Sequence, residues 1–380
     1  MRIYLDNNAT TPVDPAVLDA LQRALRDSYG NASSIHKEGQ TARRTLEQAR
    51  EEVAVLVGAA AREIVFTSGG TESNNAALFG AIGSREGAHV VTTAIEHPSV
   101  LEAVNVLKQR GADVTTVRCE GSGRVRGEEM IAAIRPETRL VTMMLANNET
   151  GVIQPVAEVA RHCRQRGVLF HCDAVQAVGK MAVDVNALDV DTLSISAHKF
   201  HGPKGIGALY VRSGIILEPF VVGGAQERRR RAGTENAPLA AGFGVAATLA
   251  RNPADRARMM ALRDSLEEAL RAAALPVAFN GSAEERLPNT SNATFRGADG
   301  EALVIGLDLN GVAVSTGSAC SSGRVEASDV LLAMGLPEPV ARGTIRISLS
   351  RFTTAQQMER VVGLITALLP KTIAAAASAP

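Results

Sequence analysis

The sequence has 380 residues, 46% of them hydrophobic and 21% charged, with 40 basic side chains set against 40 acidic ones. A formal net charge of zero gives no global field for direct binding of nucleic acid or of an anionic membrane surface, and no apolar run is long enough to span a bilayer. The length exceeds what one hydrophobic core usually supports, so a soluble chain of two unequal domains is expected.

The opening MRIYLDNNATT has neither the basic region nor the apolar stretch of a secretory signal, which makes the cytoplasm the expected compartment. Asp14-Pro15 reads as an N-cap followed by proline at the first helical position, opening a helix to about Asp27. From about residue 60 to 215, short β-branched or aliphatic runs alternate with helical patterns, the signature of a parallel sheet with crossover helices. Strands are predicted at 63–67, 89–93, 113–117, 140–145, 168–171, 192–196 and 208–211. Between the fourth and fifth, VAEVARHCRQRG puts Val156, Val159, Ala160 and Cys163 on one helical face and closes at Gly167, completing a right-handed βαβ unit. An Ala-rich helix near 238–250 is interrupted by Asn252-Pro253, and a long helix over 255–274 follows.

The domain boundary is placed at that interruption. Residues 16–252 form the large domain and 253–380 a smaller α+β domain with strands at 292–295, 312–315 and 344–349, while residues 1–15 are a segment packing with the small domain. The Ala-rich end AAAASAP is expected to fray.

In an open parallel sheet, ligands bind beyond the carboxyl ends of the strands, and here those ends are rich in polar residues. The first runs through a glycine pair into a helix, FTSGGTESNN, where backbone N–H groups and the Thr71 hydroxyl could hold a phosphate or simply make a turn. His97 leaves the second strand in IEHPSV, and Asn147, Asn148 and Glu149 follow the fourth in ANNETG. The fifth ends on Asp173, a helix cap in most settings, with Gln176 one turn later. The sixth ends SISAHKFHGPKG, bringing Ser196, His198 and Lys199; a lysine on so apolar a strand needs a task. A phosphate cradle, an acid, a lysine and an imidazole on one sheet edge match the needs of pyridoxal 5′-phosphate (PLP): a Schiff-base lysine, a carboxylate for the pyridine nitrogen, and phosphate donors.

The cysteines are Cys119, Cys163, Cys172 and Cys320, with no C-x-x-C pair, so neither a disulfide framework nor a zinc site is expected. The first three read as small buried residues. Cys320 differs, because GSACSSG suits a thiol that must swing better than it suits a core. Arg346 alternates with Ile345 and Ile347 on a strand whose other face is polar, which fits a surface arginine as well as a carboxylate clamp. The run Arg228 to Arg231 reads as a solvated loop or as a phosphate or partner contact.

In chain order, YLDNNATT, TSGGTES, EHPSV, ANNETG, DAVQAVGK, SAHKFHGPKG, RRAGTEN, GSACSSG and IRISLSRFTT resemble the cysteine desulfurases of the NifS/IscS group, the NifS branch most closely, within the class V aminotransferases. The resemblance covers nearly the whole chain. It implies an α/β fold, the PLP-dependent transferase fold type I, with a mostly parallel seven-stranded sheet in the large domain, and a homodimer. It implies PLP-dependent release of L-alanine from L-cysteine, with the sulfur kept as a persulfide on Cys320 for an acceptor protein such as an iron–sulfur scaffold. Lys199 would carry the cofactor, His97 stack on its ring, Asp173 pair with the pyridinium, and Gln176 and Asn148 address the ring-hydroxyl side. Gly70, Thr71, Ser196 and His198 would bind the phosphate, with Thr234 reaching it from the neighbouring subunit. Arg346, with Asn148, would hold the substrate carboxylate. No intrinsic metal is implied, only a transient iron–sulfur contact at Cys320. Rival functions on the same fold are a selenocysteine lyase, another class V aminotransferase and a non-catalytic scaffold. Two departures stand out: Cys172 sits where relatives often carry Thr or Val, and the stretch after Phe352 lacks the longer tail many relatives use toward a scaffold.

Overall fold

The computed structural model describes residues 2–83, 87–317 and 327–377. After β1 (Ile3–Tyr4), α1 (Pro15–Asp27) and α2 (Lys37–Leu56), strands and helices alternate. They run β2 (Ile64–Thr67), α3 (Gly70–Ile82), β3 (His89–Thr93), α4 (Pro98–Gln109), β4 (Asp113–Val117), α5 (Gly127–Ala132) and β5 (Thr138–Thr142). Then come α6 (Val156–Arg166), β6 (Leu169–Asp173), α7 (Val185–Leu188), β7 (Thr192–Ser196) and β8 (Gly207–Val211). Local signals explain the punctuation: the Asp14 side chain accepts from Ala16 N–H with Pro15 at the first helical position, and Gly167 closes α6 in the left-handed conformation at φ 66°.

Seven strands form one sheet in the order β2-β8-β7-β6-β5-β3-β4. β8 is antiparallel to both neighbours, β2 and β7, while β7, β6, β5, β3 and β4 are joined by parallel ladders. The sheet is therefore mostly parallel, as expected. β3, β7 and β8 are buried at every position, because helices cover both faces of such a sheet. β5 stops at Thr142, short of the predicted residue 145, yet Leu145 N–H still reaches Asp173 O at 2.8 Å.

Beyond the sheet, α8 (Ala237–Leu249) is followed by α9 (Pro253–Ala272). Asn252-Pro253 does not merely interrupt: Asn252 caps Ala254 N–H and Pro253 begins the helix, so α9 starts two residues before its predicted position. The rest comprises β9 (Val277–Phe279), β10 (Thr290–Phe295), α10 (Gly300–Leu309), β11 (Val312–Ala313), α11 (Asp329–Ala333), α12 (Glu338–Arg342), β12 (Thr344–Ser348) and α13 (Ala355–Ala377). β12, β10 and β9 make a three-stranded antiparallel sheet. Its core gathers Phe295, Ile345 and Ile347 with Ile3 and Leu5 from the amino-terminal end, and β1 pairs parallel with β11. Among the described residues no helix is long and apolar enough to cross a membrane.

The basic run is not simply solvated. Arg230 donates to Arg62 O at 2.7 Å and Arg231 to Glu72 at 2.8 Å. The residue before it, Glu227, is buried and takes both Arg50 Nη atoms, at 2.6 and 2.8 Å, together with Phe66 N–H at 3.0 Å. Glu227, Arg228 and Arg229 all have positive φ, 44°, 57° and 65°, a conformation that costs non-glycine residues energy unless the surroundings impose it. Removing one partner of a buried ion pair strands the other charge, at about 3–5 kcal/mol. Arg50→Ala should lose stability on that scale in urea titration; a loss under about 1 kcal/mol would mean that this ion pair does not hold the turn.

Candidate active site

The strand ends of the large sheet open onto a cavity of about 260 Å³ whose lining includes Gly70, Thr71, His97, Asn148, Asp173, Gln176, Ser196, His198 and Lys199. Nine of the residues singled out in the sequence thus share one wall. The geometry follows from the topology, since β6 and β7 are parallel neighbours with Asp173 opposite Ser194. Their final residues therefore emerge side by side.

Asp173 ends β6 and does two things. Its Oδ1 accepts from Val175 N–H at 3.0 Å, as a turn cap would, while Oδ2 accepts from Asn74 Nδ2 at 2.7 Å. Asn74 in turn contacts His171 Nε2 at 3.0 Å through its Oδ1 and Ser99 Oγ at 2.9 Å through its Nδ2. Asn74 and Ser99 also line the cavity, and the sequence reading passed over both. His97 caps α4, its Nδ1 accepting from Ser99 N–H at 3.1 Å. Burial lowers its pKa, with Asp173 opposing and Lys199 adding to the fall, so the neutral imidazole is favoured. His198 is pushed down to about 4, first by burial and then by Lys199, Lys204 and Lys180.

Lys199 lies on the short turn after β7, and its Nζ donates to Asn8 O at 2.6 Å and Ala9 O at 2.8 Å. Asn147, beside Asn148, is structural: its Oδ1 takes the N–H groups of Glu149 and Thr150 at 2.9 and 3.0 Å. Arg346 is only 3% exposed, so its polar strand face meets protein and not solvent. It donates to Asn148 O at 3.0 Å and Asp6 Oδ1 at 2.8 Å, and its Nε, though buried, has no partner among the described residues. Arg351 instead pairs with Asp14.

The cavity fits PLP on its own terms. Among the described residues Ser196 Oγ is buried without a hydrogen-bond partner, an arrangement that costs energy unless a ligand satisfies it. It stands near the first turn of α3, whose leading N–H groups have no intrahelical acceptor and favour an anion. A Cβ on Gly70 would lie 2.7 Å from Val175 Cγ2, so only glycine lets α3 begin this close to the turn after β6.

Two assigned residues stand apart. Thr234 is exposed and borders a separate depression with Thr67, Ser68 and Arg231. Cys320 lies outside the described residues. Of the other cysteines, Cys163 and Cys172 are fully buried but Cys119, expected inside, is only partly so. Burial pushes the Cys163 thiol up to about 12 and that of Cys172 well above its ordinary value, so neither offers a thiolate. Lys180 was also overlooked, and it is 5% exposed beside the Lys199 turn.

The family model for class V aminotransferases matches residues 3–361. The chain belongs to that family. Among its curated relatives, a cysteine desulfurase of Trichormus azollae is 46% identical over 372 residues, covering 97% of this chain and 93% of the relative. The cysteine desulfurase IscS of Anaeromyxobacter dehalogenans is 47% identical over 369 residues, 95% of this chain and 91% of the relative. Of solved structures, a NifS-like protein superposes with a TM-score of 0.91 at 37% identity, covering 98% of this chain and all of the other. SspA in complex with cysteine gives a TM-score of 0.83 at 36% identity, covering 93% of this chain and all of the other. These likenesses extend to the arrangement of the large sheet, which is that of the PLP-dependent fold type I.

Proposed function

We propose that the protein is a PLP-dependent cysteine desulfurase that releases L-alanine from L-cysteine and retains the sulfur as a persulfide on Cys320. The observation that carries this reading is the convergence of Lys199, Asp173 and His97 on one cavity whose wall holds the unsatisfied Ser196 hydroxyl. The relatives named cysteine desulfurase support the same reading at near full length. Gly70, Thr71, Ser196 and His198 would hold the phosphate of PLP, Asp173 its ring nitrogen, and Gln176 and Asn148 its ring oxygen. Bound there, PLP supplies an electron sink for the charge left when the substrate's α-proton departs. Lys199 would carry the cofactor and move that proton at Nζ. The neutral His97 ring would stack on the cofactor without adding a second positive charge. The thiolate of Cys320 attacks the substrate sulfur; a new S–S bond forms as the C–S bond breaks, and the carbon fragment leaves as alanine after protonation.

Residues 16–252 serve as the cofactor-binding domain and 253–380 as a smaller domain that carries the Cys320 segment, with residues 1–15 packing on that smaller domain. Thr234, exposed on its own chain, fits a contact to the phosphate of a second copy in a homodimer. An acceptor protein in the cytoplasm, such as an iron–sulfur scaffold, takes the sulfur.

Arg346 binds the cysteine carboxylate, a role its buried position and unpartnered Nε favour over that of Arg351. Each charge-assisted bond lost is worth roughly 1.5–3 kcal/mol, about tenfold to a hundredfold in kcat/KM. Alanine release from L-cysteine by wild type, Arg346→Ala and Arg351→Ala tests both levels. The expected result is turnover in wild type and a loss on that scale in Arg346→Ala, with Arg351→Ala far less affected. Absence of alanine from PLP-loaded wild type would remove the desulfurase reading; a reversed ranking of the two variants would remove the arginine assignment.

A further inference from the structure

Behind the cavity, Lys180 is buried with its Nζ directed at two amide oxygens: Asn8 Oδ1 at 2.9 Å and Gln176 Oε1 at 2.5 Å. Among the described residues no carboxylate pairs with it. The two amides it touches are themselves in place around the candidate site. Asn8 is 1% exposed; its Nδ2 donates to Asn148 O at 3.1 Å and to Thr290 Oγ1 at 2.9 Å, and its backbone oxygen accepts from both Lys199 Nζ and Gln176 Nε2. Asn289 Nδ2 adds a second donor to Asn8 Oδ1 at 3.0 Å. Gln176 lines the cavity.

A side-chain amide has one accepting and one donating end of nearly equal size, so its polarity is decided by what it faces. Lys180 Nζ is the donor in both contacts, to Asn8 Oδ1 and Gln176 Oε1, although burial first, and then Lys199 and Arg346, lower its pKa well below the ordinary lysine value. Facing Lys180, both amides turn their oxygens toward it, which commits Asn8 Nδ2 to Asn148 O and Thr290 Oγ1 and leaves Gln176 Nε2 to donate to Asn8 O with one hydrogen and toward the cavity with the other. We propose that Lys180 is a positioning residue that fixes the polarity of Gln176 and Asn8, so that Gln176 presents a donor, not an acceptor, to the ring oxygen of PLP. This rests on the reading that Lys199 carries that cofactor.

The consequence is electronic. A donor on the ring oxygen makes it a poorer acceptor for the proton shared with the Lys199 nitrogen, and so lowers the pH at which that proton is lost. The charged and titratable groups around Lys180 are Lys199, His198 and His201 on the turn after β7, Arg346 of β12 with its partner Asp6, Arg351 with Asp14, and Asp255 of α9. Asp173 and His97 face Lys199 across the cavity. All of these stay in place in the test.

The experiment is an absorbance titration of the PLP-loaded protein between pH 5 and 10, comparing wild type, Lys180→Met, Gln176→Leu and the double variant. Lys180→Met should raise the apparent pKa of the cofactor band by about one unit, the scale of one charge-assisted hydrogen bond. Gln176→Leu should raise it similarly, and the double variant should match the larger single shift, because both changes remove one interaction. An unmoved pKa in Lys180→Met, or additive shifts in the double variant, would overturn the proposal. Lys180→Gln is the second variant if Lys180→Met does not fold: its amide can present either end, so the same upward shift is expected and an unmoved value counts equally against. A wild-type protein that forms no absorbing adduct with PLP would instead remove the reading on which the proposal rests.

Discussion

Lys199→Ala is expected to abolish the borohydride-reducible adduct between the chain and PLP, and to lower alanine release by about 10²–10⁴-fold. Lys199 alone among the lysines follows a strand that ends on the cavity, and it joins Asp173, His97 and Ser196 in the lining. Lys180 is the control that matters, since it is the other lysine buried nearby. Its Nζ is engaged by Asn8 and Gln176 and is absent from the cavity wall, so Lys180→Met should keep the adduct. Peptide mass spectrometry after reduction distinguishes the two. A reduced cofactor on Lys180, or any stable adduct in Lys199→Ala, would show that the lysine is misassigned.

The parts of the site legible in the sequence are those that local patterns place. A β-branched run such as TLSIS announces a strand wherever it sits, and the residues after it are then known to be at the sheet edge. That suffices for Asp173, Ser196, His198 and Lys199. What could not be read is whatever depends on contacts between distant residues. β1 and β11 are two residues each and pair across more than three hundred positions, a ladder too short to leave a period in either segment. Asn8 touches Lys180, Lys199, Asn148, Asn289 and Thr290, yet in the sequence it is one polar residue in a polar stretch. Arg346 alternated correctly with Ile345 and Ile347, but periodicity says only that it faces away from them; that this face packs on Asp6 and Asn148 is a tertiary fact. The strained turn at Glu227 to Arg229 was hidden for a related reason, because non-glycine residues carry no local mark of positive φ when a buried carboxylate imposes it.

Cys320→Ala separates sulfur removal from the chemistry that precedes it. Binding of PLP depends on Lys199, Asp173 and the phosphate-binding group, and removal of the substrate α-proton on Lys199 as base; none of these uses a thiol. The variant should therefore bind PLP normally and still change its absorbance on addition of L-cysteine. Productive C–S cleavage does need a nucleophile to accept the sulfur, and it has to be ionised. Burial keeps Cys163 and Cys172 protonated, and it raises the thiol pKa of the part-exposed Cys119 as well. None of these lines the cavity, so no substitute is at hand. Alanine release under reductant should fall to background and no cysteine peptide should carry the extra sulfur mass, while single alanine variants of Cys119, Cys163 and Cys172 should retain persulfide on Cys320. A class V aminotransferase would not depend on this thiol, and a selenocysteine lyase could release its product without it. Near-normal alanine production from L-cysteine in Cys320→Ala would therefore sink the persulfide mechanism and return the protein to one of those two classes.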